Sequence, residues 1–99
     1  MFSKLKVTVS HSALSDLEEV LEFYNEQKIP HVGERLVKKV FSDIELLSEQ
    51  TDMGRRVPEF DLAYLRELIR PPFRIVYRRD IGRIRIVRVW RSERLLILP

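Results

Sequence analysis

After a short alternating run at residues 4–9, the hydrophobic pattern of this chain is helical up to Met53-Gly54 and extended beyond it, and that change limits the folds open to it. Before it, large apolar residues recur at spacings of three and four, which places them on one side of a helix. After it, they alternate with polar residues or run in short blocks, as in strands. A helical half and an extended half bury both apolar surfaces most simply when helices cover one face of a sheet, so the expected class is α+β. With 99 residues there is room for one core, and residues 1–99 are read as a single domain.

Residues 4–9 alternate, with Leu5, Val7 and Val9 on one side, and predict a half-buried N-terminal strand. Ser10 then caps a helix, and Asp16, Glu18 and Glu19 are expected to favour the positive end of its dipole. Leu14, Leu17, Leu21 and Tyr24 form its apolar stripe, widened by Ala13 and Val20. Pro30 is expected to end this helix near Lys28, and a second stripe runs through Leu36, Val40, Ile44 and Leu47, flanked by Val37 and Phe41. The two helices should form an antiparallel hairpin. Residues 63–69, 73–79 and 84–91 read as three strands joined by turns at Arg70-Pro71-Pro72 and at residues 80–83, which makes a three-stranded antiparallel meander. In the last strand, strict alternation would send Ile84, Ile86, Arg88 and Trp90 one way and Arg85, Val87, Val89 and Arg91 the other.

Charge follows the same division. Residues 1–49 hold six Lys/Arg against nine Asp/Glu, whereas residues 50–99 hold twelve arginines, no lysine and six Asp/Glu. Arginine presents a planar fork of donors that grips phosphates and carboxylates in fixed geometry, so its exclusive use in the sheet suggests contact with defined anions. The simpler alternative is that arginine stems shield the sheet while their heads stay in water. A pI near 9.5 suits either reading.

The catalytic inventory is short. Without cysteine there is no disulfide, thiol nucleophile or cysteine metal site, and two scattered histidines argue against a metal or metal cofactor. Three glycines make no phosphate loop, and Ser10, Ser12 and Ser15 read as capping residues. His11 and His31 fall at helix starts, where a protonated imidazole is disfavoured, and read as surface or packing residues. Glu59 and Asp61 could act as an acid/base pair but more simply pair with Arg55, Arg56 or Arg74. Phe73 and Tyr77 are expected to pack the sheet, while Trp90 and Tyr64 are divided between packing and stacking on bases. No signal-peptide core or long apolar run is present, so a cytoplasmic protein without a membrane partner is expected.

The order of elements and several local runs resemble the RelE/ParE superfamily of type II toxin–antitoxin toxins across essentially the whole chain. The runs are Ser10-His11-Ser12-Ala13, Gly54-Arg55-Arg56-Val57-Pro58-Glu59-Phe60, Leu65-Arg66-Glu67-Leu68, Phe73-Arg74-Ile75-Val76-Tyr77-Arg78 and Val87-Arg88-Val89-Trp90-Arg91. The stretch from Arg66 to Tyr77 resembles the pattern of plasmid stabilisation proteins. In the RelE-like branch the resemblance implies ribosome-dependent cleavage of mRNA, with Arg74 at the scissile phosphate and Arg91 and Arg94 near a second cationic position; Glu93 or Glu59 would have to substitute for that branch's acid or base, which has no match here. The chain departs from that branch because no Tyr follows Tyr77 and no His follows His31. In the ParE-like branch, which the helical hairpin and Trp90 resemble more closely, it implies inhibition of DNA gyrase without chemistry by the toxin. Both branches imply a cognate antitoxin whose C-terminal segment wraps the toxin and meets Arg66, Arg74, Arg78, Arg88, Trp90 or Arg91. A non-toxic RNA- or peptide-binding module with the same fold is the remaining reading.

Overall fold

A computed structural model describes residues 5–91. The elements are β1 (Lys6–Val9), α1 (His11–Glu26), α2 (Pro30–Leu47), β2 (Arg55–Arg56), β3 (Leu65–Arg70), β4 (Phe73–Asp80) and β5 (Arg83–Arg91). Both helices lie against one face of a sheet with strand order β1-β5-β4-β3-β2, which is α+β as the change of period requires. The meander β3-β4-β5 forms its centre. Two edge strands extend it: the expected N-terminal strand, β1, runs parallel to β5, and the short β2, which was not expected, pairs antiparallel with β3. Among the described residues no helix is long and apolar enough to cross a membrane.

Ser10 joins the first strand to the first helix. Its N–H donates to Ile86 O at 2.9 Å, and its Oγ accepts from the Ala13 N–H at 3.0 Å while donating to Val87 O at 2.8 Å. One side chain thus caps the helix and serves a strand carbonyl at the same time. The second helix begins earlier than its apolar stripe suggests. Pro30 does not merely stop α1; it opens α2 in the first turn, where a missing N–H costs nothing. Val32 and Gly33 are the inward residues of this first turn, and neither is bulky enough to announce a stripe.

The main core joins Ala13, Leu17, Val40, Ile44 and Leu47 of the helices to Leu68, Phe73, Ile75, Tyr77, Ile84, Ile86 and Val89 of the sheet. A smaller cluster of Val57, Leu65 and Val76, with Val87 and Trp90 packed on it, occupies the opposite face. Their separation exposes an irregularity. In the β4–β5 ladder Tyr77 pairs with Ile86 but Val76 pairs with Arg88, so Val87 has no opposite number. This bulge reverses the alternation. Ile84, Ile86 and Val89 therefore face the helices, while Val87 and Trp90 face away, which corrects the grouping expected from strict alternation.

Candidate functional site

Of the arginines singled out in the sequence, Arg74 is the most enclosed, at 6% exposure. It projects from β4 on the helix-free face, beside Glu67 of β3 and below Glu59 of the segment that follows β2. Arg74 Nε donates to Glu67 Oε1 at 2.8 Å, and its two terminal nitrogens donate to the two oxygens of Glu59 at 2.9 and 2.8 Å. Glu67 is fully buried, and its other oxygen accepts from Arg55 Nε at 2.9 Å. Glu59, Arg74, Glu67 and Arg55 thus alternate in sign along one chain of ion pairs. The hydrogen bonds that Arg74 donates to Glu59 raise its pKa most; burial opposes them and Glu67 adds to the rise. A guanidinium held between two carboxylates is a structural cation, because a phosphate would have to displace one of them.

A second anchoring group lies behind the Val87 bulge. Asp16 is buried on the sheet side of α1, where its carboxylate accepts two bonds from Arg88 at 2.8 Å and one from the Val89 N–H at 2.9 Å. It does not serve the helix dipole, because it lies beyond the first turn and is turned to the sheet. The bonds to Asp16 raise the Arg88 pKa, against the effect of burial. The same guanidinium covers the Trp90 ring at 4.3 Å. Beside Trp90 a groove of about 610 Å³ opens between α1 and the ends of β4 and β5. Val20, Phe23, Tyr24, Phe73 and Val89 form its apolar lining, with Glu19 and Arg91 adding charge. The indole Nε1 of Trp90 is buried and donates to no acceptor among the described residues.

The remaining arginines divide by face. Arg66 lies on the helix side, where it donates to the carbonyls of Ala63 and Gly54, both at 3.1 Å. Next to it the Tyr77 hydroxyl accepts from the Gly54 N–H at 3.0 Å and donates to Thr51 O at 2.9 Å. Only glycine fits at position 54: a Cβ there would lie 2.6 Å from the Tyr77 hydroxyl. Arg78 is exposed, pairs with Asp80 at 3.0 Å and lies over the Tyr64 ring at 5.3 Å.

The structure therefore brings Trp90 and Arg91 together at the groove, with Arg88 over the Trp90 ring, places Arg74 among carboxylates and sets Arg66 and Arg78 apart. Arg94 and Glu93 lie outside the described residues. Phe73 and Tyr77 are core residues, Trp90 is half-buried and Tyr64 is exposed. Glu59 pairs with Arg74 and Asp61 lies 3.7 Å from Arg56. Sequence reasoning missed Glu67 and Asp16 as buried acids. A signal existed for Glu67: in strict alternation it shares a face with Leu65 and Ile69, where a lone carboxylate needs a cation.

The profile of the family described as ParE toxin of type II toxin-antitoxin system, parDE, matches residues 7–96. No curated protein matches the sequence. Among solved structures, the chromosomal ParDE toxin–antitoxin system from P. aeruginosa superposes with a TM-score of 0.74 at 22% identity, over 91% of this chain and 98% of that one. The toxin–antitoxin complex RelBE2 from Mycobacterium tuberculosis superposes with a TM-score of 0.62, also at 22% identity, over 91% of this chain and 100% of that one. At such identity these structures show a shared fold.

Proposed function

The chain belongs to the ParE toxin family of type II toxin–antitoxin systems, and from that premise we propose that it arrests growth by inhibiting DNA gyrase. The observation that carries this choice over RNA cleavage is the position of Arg74. A ribonuclease needs an arginine free to offset charge on the phosphorane and an acid or base beside it. Here Glu59 and Glu67 occupy Arg74, and His11 and His31 are carried by the helices on the other side of the sheet. A toxin that works by binding needs no such set. The test is a cleavage assay with purified gyrase and supercoiled plasmid. Linear DNA that appears only after protein denaturation, in proportion to added toxin, supports the reading; unaffected gyrase together with cleaved mRNA on ribosomes refutes it.

The same reading includes a cognate antitoxin, seated in the groove beside Trp90. An apolar side chain of the antitoxin's C-terminal segment fits between Phe23 and Phe73, against the half-buried Trp90 ring. Carboxylates near it find Arg91 at the rim. Phe23→Ser, at a side chain already half exposed, should weaken neutralisation at least tenfold and leave toxicity intact. Unchanged neutralisation would place the antitoxin elsewhere.

A further inference from the structure

The outer end of the β4–β5 hairpin has a composition that neither the core nor the groove explains. Arg78 stands directly opposite Arg85, and Arg83 directly opposite Lys6, all on the helix-free face. Like charges in facing positions repel, and here two such pairs occupy neighbouring rungs. Asp80 compensates them in part, at 3.0 Å from Arg78 and 3.8 Å from Arg83. Lys6 and Arg85 are exposed and form no ion pair among the described residues. Arg79, on the other side of the strand, is paired with Asp52.

Ile81 sits at the tip between these cations. The turn is Ile81-Gly82, with Gly82 at φ 75°, and Ile81 is wholly exposed, at 104% of its reference area. Two-residue hairpin turns favour Asn, Asp or Gly at their first position, so turn chemistry does not call for isoleucine. The contacts of the core do not call for it either. An apolar side chain on a ribbon tip flanked by arginines is a combination that fits duplex DNA, since a two-stranded ribbon enters a groove, cations bind the phosphates and an isoleucine can wedge at a base step.

We propose that the β4–β5 hairpin end is a contact element for duplex DNA, with Lys6, Arg78, Arg83 and Arg85 on the phosphates and Ile81 in the groove. Single-stranded RNA fits less well. Its binders stack unpaired bases on open aromatic rings, and among the described residues the ring next to this patch, Tyr64, is covered by Arg78. The inference goes beyond gyrase inhibition and stands independently of it, because its test contains only this chain and DNA.

The test is fluorescence anisotropy with an end-labelled duplex of about 20 base pairs, titrated at several salt concentrations. Four phosphate contacts predict that log K falls against log salt with a slope of about −3.6. The double variant Arg83→Glu/Arg85→Glu should cut the slope by about 2 and affinity at least a hundredfold. Ile81→Ser should keep the slope while reducing DNA bending, read as energy transfer between labels at the two duplex ends. All three substitutions are at exposed positions, so circular dichroism should show an unchanged fold. Absence of binding at low salt, equal affinity of the double variant, or tighter binding of single-stranded RNA of the same length would overturn the proposal. A failure here leaves the gyrase cleavage assay unaffected, so the two readings fail separately.

Discussion

Replacing Arg74 by methionine tests whether this residue is structural. Methionine keeps much of the side-chain length but removes every donor, so Glu67 loses its Arg74 bonds and keeps only Arg55. Glu67 cannot reach water, being fully buried, whereas Glu59 is partly exposed and can be hydrated. Removing one partner of a buried pair costs about 3–5 kcal/mol, and the retained bond to Arg55 places this case near the lower figure, about 3 kcal/mol. A domain of this size has about 5–15 kcal/mol in total, so Arg74→Met should lower Tm by at least about 12 °C in thermal unfolding followed by circular dichroism. Adding Glu67→Leu removes the stranded charge and should recover at least half of the loss, since apolar replacements of similar volume often match a buried ion pair. A catalytic Arg74 predicts the opposite pattern, in which Arg74→Met folds normally and only activity is lost. If Arg74→Met melts within about 2 °C of the parent protein, the structural assignment is refuted.

Other expected outcomes follow from the anchoring groups. Asp16→Ala strands the Val89 N–H and frees Arg88 from its bidentate partner, which should cost about 2–4 kcal/mol in urea unfolding; a loss below about 0.5 kcal/mol would show that the helix is not anchored there. Burial raises the Tyr77 pKa above its ordinary value of 10.0, with the Gly54 and Arg66 effects opposing. The unfolded chain therefore releases this proton first, so the contribution is intact below pH 10 and declines as pH rises from there through the raised folded value. Unfolding free energy should fall more steeply above pH 10 in the parent protein than in Tyr77→Phe, and parallel pH profiles would contradict the assignment.

The fold was legible in the sequence because periodicity reports which side of an element is dry. Leu14, Leu17 and Leu21 announce α1 regardless of what it packs against, and the paired prolines and Gly82 mark the turns of the meander. What escaped depends on partners distant in sequence. A two-residue strand such as β2 carries no period, and the parallel pairing of β1 with β5 joins residues more than seventy positions apart. The Val87 bulge inverts the faces of β5 without any local mark, since neither glycine nor proline is involved and the carbonyl is satisfied by Ser10. Asp16 could be placed on α1, but its burial became readable only once Arg88 and the Val89 N–H were seen behind it.

The arginines themselves were plain in the sequence, but their partners were not. An excess of arginine pointed to defined anions, but composition does not distinguish a guanidinium bound to the protein's own carboxylates from one open to a partner. Arg74 and Arg78 share a face of one strand, yet Arg74 is enclosed by Glu59 and Glu67 while Arg78 reaches solvent. Alternation gave their common side, and only the path of the segment after β2 decides which of them is covered.

Pulse labelling of DNA and protein synthesis in bacteria, within minutes of inducing the chain without antitoxin, addresses the central claim most directly. Gyrase inhibition predicts that thymidine incorporation falls first while methionine incorporation continues. Prompt collapse of methionine incorporation, with DNA synthesis still running, would contradict the account and return Arg74, Arg91 and Glu93 to candidacy as a catalytic set.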